Sequence, residues 1–271
     1  MKGATTADYP TQWHRPPLFS NRWVKYMIYT ALIAFFLWSL WESRVSLDRF
    51  LIGVEGFGRL VENAFPPNFG PEQRVRIYAG VRDSLAIALI STVLGIIVSI
   101  PVAIASAENI SHPLFYGAGR LLISISRSFH SLILGIIIVA AVGFGALAGV
   151  ITLTFASIGF YAKLVADEIE EMDLRQVDAI RATGASKPEV LVYGVLPQIF
   201  PRMVGLAVYL WDKHFRESTI IGIVGAGGIG QTLHNSFRSY EYDFSIAIII
   251  VIVALVLLGE FISLVARRRV Q

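Results

Sequence analysis

The 271-residue sequence contains no cysteine. Disulfides, thiolate metal sites and cysteine nucleophiles are therefore excluded. It is also short of charge: Lys, Arg, Asp and Glu make up 16% of the chain, against about 25% in an average soluble domain. The charge that exists avoids long stretches. None occurs from Ser84 to Ala107, nor from Ser128 to Ala162, a run of 35 residues. Such runs exclude a soluble enzyme, a disordered tail and a nucleic-acid-binding module, because crossing about 30 Å of hydrocarbon takes about 20 apolar helical residues. The five His (14, 112, 130, 214 and 234) are scattered without metal-ligand spacing. A Gly-x-x-x-x-Gly-Lys-Ser/Thr loop for cradling phosphates is missing. No internal repeat is visible, so an inverted-repeat transporter architecture has no support.

What fills the chain is apolar: 55% hydrophobic residues, with 17 Phe, ten Tyr and five Trp. This composition reads as an all-α integral membrane protein. Residues 1–22 are polar and read as a cytoplasmic leader. Trp23 and Trp41 bracket a first helix at 23–41, which no small-residue cleavage site follows, so it reads as a retained anchor. The polar stretch 42–83 carries Leu47, Phe50, Leu51, Val54, Phe57 and Leu60 at helical spacing, predicting an amphipathic helix on the outer interface. Further spans are predicted at 84–107, about 117–142, about 148–166, about 202–224 and 244–266, the long uncharged run being divided at Gly143, Gly145 and Gly149. Six transmembrane helices place both termini on one side. Lys and Arg near both ends, and in the block after the fourth span, place that side in the cytoplasm, with 267–271 as a basic tail. The first outer loop dissents in part, since it holds six Arg, but it holds as many acids and is long.

The block between the fourth and fifth spans runs Asp-Leu-Arg-Gln-Val-Asp-Ala-Ile-Arg-Ala-Thr-Gly-Ala-Ser-Lys-Pro-Glu from Asp173 to Glu189. It predicts a helix over about 173–183 ended by Gly184, then a second beginning at Ser186, with Glu189 at the capping-box position. On composition alone this is an amphipathic connector. Its spacing, however, resembles the signature of ABC-importer permease subunits. Asp178, Ala179 and Ile180 stand at the first three positions, followed at the proper intervals by Gly184, Leu196 and Pro197. Asp for Glu, Ile for the second Ala and Gly194 for Ile are the departures.

Gly-Ile-Val-Gly-Ala-Gly-Gly-Ile-Gly at 222–230, Tyr193-Gly-Val-Leu-Pro-Gln and Phe65-Pro-Pro-Asn-Phe are similar to the phosphonate-importer branch of that family, the PhnE type. The resemblance implies a type I ABC-importer permease fold, with a permease core at 84–266 and coupling helices at 168–201. It implies ATPase coupling through Asp178, Ala179, Ile180, Gly184, Ala185, Leu196 and Pro197. The chain would need no cofactor of its own, since ATP and Mg would be bound by a partner ATPase dimer. A second copy of the chain and a periplasmic phosphonate-binding protein would complete an inner-membrane importer of phosphonate, phosphite or phosphate. Gly225, Gly227, Gly228 and Gly230 are read either as a flexible turn or as a gate at the periplasmic mouth.

Asp212-Lys213-His214-Phe215-Arg216-Glu217 interrupts the fifth apolar span. At 3.6 residues per turn its four charges fall in one arc of about 140°. Intramembrane charge costs at least about 2.5 kcal/mol per residue, so it marks a functional site by default. Arg216, assisted by Lys213, would meet the anion, while His214 stands where that branch usually has Asn. The plainer alternative is mutual neutralisation of Asp212 with Arg216 and of Lys213 with Glu217. Arg127 and His130 read either as interfacial snorkelling groups or as the inner end of a pathway. Competing functions are a methionine-type or betaine-type permease, a membrane enzyme acting on lipid phosphates, and a passive channel.

Overall fold

The computed structural model describes residues 22–43 and 47–270. The polar leader with Lys2 and Arg15, and Arg44, lie outside them, as do the side chains of Arg267, Arg268 and Arg269. The described residues are helical and contain no strand. Two units are distinguished, one up to Arg59 and one from Leu60 onward.

The first unit holds α1 (Arg22–Glu42) and most of α2 (Leu47–Ala64). α1 has 21 residues and none is buried. At 1.5 Å per residue it reaches about 31 Å, enough to cross a bilayer with its Phe and Trp side chains against lipid. α2 starts with Asp48 in its first turn, where the helix dipole favours an acid.

The second unit is built around α3 (Pro71–Ser106), which begins 13 residues before the uncharged stretch and carries Pro101 without breaking. The reason for its central place is a stripe of small residues. Gly80, Ser84, Ala88, Ser91, Gly95, Ser99 and Ala103 recur every three or four positions and are all buried. Leu85, Leu89, Val93 and Ile97 on the other faces are exposed. Small side chains let membrane helices approach closely, since lipid leaves no hydrophobic drive to bury large ones. A Cβ on Gly80 would lie 2.9 Å from the Cα of Ile229, and one on Gly95 would collide with Ser157.

α4 (Pro113–Ser128) and α5 (Ser131–Val142) follow. Here the structure departs from the single span expected at 117–142: the two helices meet at 90° across Phe129 and His130. His130 caps α5 by accepting the Leu132 N–H at 3.3 Å, so an apolar run restarts as a new helix in a new direction. α6 (Ala146–Ser157) continues through a π-helical turn (Ile158–Ala162) into α7 (Lys163–Glu171) as one rod. α8 (Leu174–Ala182) is short, and α9 (Lys187–Glu189) runs through a second π-helical turn (Val190–Val195) into α10 (Leu196–Gly222). The outer loop expected at 225–230 is in part helical, because Gly228 and Gly230 open α11 (Gly228–Arg238). α12 (Tyr242–Val270) extends through the basic residues expected as a tail. Among the described residues, five helices are long and apolar enough to cross a membrane, and the bent α4–α5 pair makes a sixth if counted as one span.

Candidate functional site

The two ends of the second unit differ in chemistry. At one end lie the glycine turns. Gly143, Gly145, Gly225, Gly227 and Gly228 all have positive φ, which disfavours any side chain. The turns are tied together by the Gly145 N–H donating to the Gly225 carbonyl at 2.9 Å, and the Ile229 N–H donates to Ser84 Oγ at 2.9 Å. Gly225, Gly227, Gly228 and Gly230 are buried, so this segment is a packed junction rather than a loose loop. A cavity of about 330 Å³ beside it is lined by Arg76, Asp83, Gln231 and Asn235 together with Gly227 and Gly228.

The opposite end carries α8. Asp173 caps it by accepting the Arg175 N–H, and the Arg175 side chain returns to the same carboxylate at 3.0 and 3.1 Å. The Arg175 guanidinium, then its backbone N–H, hold the Asp173 carboxyl below the usual carboxylate range. Gly184 adopts φ +82 and ends the helix. Ser186 and Glu189 form the capping box that their spacing predicts. Val177 is fully buried, whereas Asp178 and Ala179 face outward, Asp178 pairing with Arg181 at 3.1 Å. Leu196 and Pro197 start α10 directly after the π-helical turn, where Pro197 has no N–H to give. Gln198, which sequence reasoning left without a role, fastens α8. Its amide donates to the Gly194 carbonyl at 2.7 Å and its Oε1 accepts the Asp173 N–H at 3.2 Å.

Between these ends, the charged arc of α10 divides. Asp212, 3% exposed, holds Arg216 at 2.8 Å, and Gly259 of α12 lies alongside it. Lys213 and Glu217 are a looser pair at 3.5 Å and line a different space, a cavity of about 470 Å³ at the α4–α5 break. Lys213 Nζ also sits 4.2 Å from the centroid of the Phe160 ring in that cavity wall. Asp212 Oδ1 and Glu217 Oε2 are buried and have no hydrogen-bond partner among the described residues. His214, expected beside them on the path, is instead buried among hydroxyls. Its Nδ1 is 2.9 Å from Thr92 Oγ1 and 3.2 Å from Ser91 Oγ, and its Nε2 is 3.2 Å from Ser157 Oγ. A neutral ring satisfies this set, with Nε2–H donating to Ser157, whose own proton goes to the Leu153 carbonyl.

Arg127 and His130 belong to the same cavity as Lys213 and Glu217, together with Lys163 and Ser128. The π-helical turn sets this arrangement. Ser126 Oγ donates to the Phe155 carbonyl at 2.8 Å and accepts the Gly159 N–H at 3.0 Å, splicing α4 into the backbone of the rod. A Cβ on Gly159 would lie 2.8 Å from Arg127 Cγ, so glycine admits Arg127 here.

Known proteins bear on this arrangement. Residues 95–271 match the family described as binding-protein-dependent transport system inner membrane component. The chain is 42% identical over 220 residues to the phosphite transport system permease protein PtxC of Stutzerimonas stutzeri, covering 80% of this chain and 79% of that protein. It is 42% identical over 199 residues to the phosphate-import permease protein PhnE of Mycolicibacterium smegmatis, covering 73% of this chain and 37% of that protein. Its fold is similar to that of a chain of the MetNI methionine ABC transporter in inward-facing form, with a TM-score of 0.66 at 23% identity over 75% of this chain and 100% of that one. The chain belongs to the binding-protein-dependent transport system inner membrane component family, and is a multi-pass membrane permease subunit of the ABC-importer class.

Proposed function

We propose that this permease carries a phosphorus oxyanion (phosphonate, phosphite or phosphate) across the bacterial inner membrane by alternating access. The names of the relatives support that cargo class. The observation that carries it is the cavity at the α4–α5 break, where Arg127, Lys163 and Lys213 stand against Glu217 in the wall and Asp167, which pairs with Lys163, leaving one positive charge in excess. An excess of positive charge at membrane depth favours an anion over a zwitterion such as methionine or a betaine. Arg216 and Lys213 act as waypoints, and Asp212 and Glu217 keep them from binding too tightly. His214 holds α10 in place. Two copies of the chain enclose the path. Asp178, Ala179 and Ile180 of α8 dock on a separate ATPase dimer that binds ATP and Mg, at an angle set by Gly184, Ala185, Leu196 and Pro197. A periplasmic binding protein delivers cargo at the end marked by Gly225, Gly227, Gly228 and Gly230. Both termini and the α8 block are cytoplasmic in this reading.

The test is ATP hydrolysis by the chain assembled with its ATPase in lipid discs, adding the binding protein empty and then loaded. Stimulation by phosphonate, phosphite or phosphate alone is the expected result, whereas stimulation by methionine would reassign the cargo. Failure to assemble with any ATPase would remove the coupling role of α8. The variant Arg216→Gln is expected to abolish uptake in an assembled complex, and undiminished uptake would remove Arg216 from the path.

A further inference from the structure

Three observations converge at the α4–α5 break and go beyond the charges of α10. First, among the described residues none of the ion pairs includes Arg127, although the neighbouring cations are partnered: Lys163 with Asp167, and Arg120 with Glu170 at 2.6 Å. Second, His130 uses Nδ1 to cap α5, so in the neutral ring Nε2 carries the proton and remains a donor. Third, Lys213 is held only loosely by Glu217, at 3.5 Å, while Arg216 is held tightly by Asp212, at 2.8 Å. Of the two α10 cations, Lys213 is the one in the cavity wall.

We propose that this cavity is an intramembrane oxyanion cradle, in which Arg127, His130 and Lys213 receive the anion and Glu217 is the internal anion that Lys213 exchanges for it. Arg127 supplies a planar fork that matches two oxygens of a phosphoryl group. Lys213 supplies a point charge on a flexible stem. Glu217 occupies Lys213 when cargo is absent, which avoids a bare charge at membrane depth and keeps retention weak enough for release.

The cradle has a way out. A second cavity, of about 340 Å³, shares Arg127, Ser128 and Lys163 with the first and continues to Ser124 and Arg120. Arg120 lies about two turns nearer the start of α4. There it donates to the Ser106 carbonyl at 3.0 Å and pairs with Glu170, the residue before the end of α7. That is the end of the unit that carries α8, so the cations step from the break toward the coupling end.

The inference rests on the phosphorus-oxyanion reading for its cargo, and the experiment separates the two. Uptake of labelled phosphate, phosphite and an alkylphosphonate is measured in proteoliposomes of the whole importer, with 31P line broadening of phosphite by the complex in discs as a direct sign of weak binding. Loss of one charge-assisted contact is expected to lower uptake about tenfold or more in Arg127→Gln and in Lys213→Gln, with line broadening lost in both. Arg127→Lys is expected to keep part of the uptake. Glu217→Gln is expected to broaden the phosphite line more than the native complex does while slowing release. Native uptake of no phosphorus oxyanion would overturn the cargo reading. Native uptake that persists in Arg127→Gln and Lys213→Gln would overturn the cradle alone. Discs made with and without phosphatidylglycerol distinguish a lipid headgroup from free anion: broadening abolished by the anionic lipid, with uptake undiminished in the variants, would make this a lipid site and overturn the proposal.

Discussion

At the scale of single residues, His214 shows how a polar side chain earns its place at membrane depth. It joins α10 to α3 and α6 through Ser91, Thr92 and Ser157, and is 1% exposed. Thr92 and Ser157 also reach carbonyls of their own helices, at 2.6 and 2.8 Å, so removing the ring leaves them with partners. The expected cost of His214→Leu is therefore modest, about 1–2 kcal/mol for the lost interhelical bonds. It is read as a lower thermal midpoint of the purified complex, with His214→Asn falling between. An unchanged midpoint in His214→Leu would show that the cage adds nothing to stability. Gly184 gives a cleaner case. Among the described residues nothing lies within 4 Å of a Cβ placed there, so Gly184→Ala isolates the backbone cost of φ +82, about 1–2 kcal/mol. Weakened coupling of ATP hydrolysis to uptake is the expected outcome, with assembly retained.

At the scale of elements, the α8 block was the most legible part of the chain, because caps are local. Gly184, Ser186 and Glu189 each satisfy backbone groups within a few residues, and such spacing survives in sequence; Asp173, expected as the first residue of the helix, is instead its N-cap. The Asp173 cap also has a defined pH range. Its carboxyl is held below the ordinary value of 3.8, so the charged cap is complete above that value and is lost only as pH falls below it. α8 helicity, followed by isotope-edited infrared, is expected to be constant across the neutral range. The α4–α5 break was not legible, since a His in an apolar run gives no sign of a 90° turn. Arg127 was visible only as a residue with two readings. The π-helical turn at Ile158–Ala162 was equally hidden: Ser126 from another helix stands between the Phe155 carbonyl and the Gly159 N–H, the pair that would otherwise close an α-helical turn. Gly159→Leu is expected to push α4 off the rod and abolish uptake. Ser126→Ala is expected to cost about 1–2 kcal/mol, read from thermal unfolding.

At the scale of the whole molecule, the second unit packs around the small-residue stripe of α3, with apolar clusters such as Leu153, Tyr161 and Leu210 buried beside it and other large apolar side chains outside. Large apolar residues lie both inside and outside, which explains why hydropathy located most spans while leaving their partners unspecified: the close approaches around α3 are carried by Gly, Ser and Ala, which hydropathy does not single out. Gly95→Val is expected to cost about 2–3 kcal/mol or more by overpacking against Ser157, seen as loss of assembled complex on size-exclusion. The same geometry has a mechanical consequence. The rod from Ala146 to Glu171 reaches from the glycine turns to the α8 end, about 39 Å at 1.5 Å per residue. Ser157, gripped by His214, lies close to its midpoint. A stiff beam held near its centre behaves as a see-saw. Any tilt that draws its α8 end inward swings the glycine end outward, so one pivot suffices to make the two ends of the path open in opposite phase.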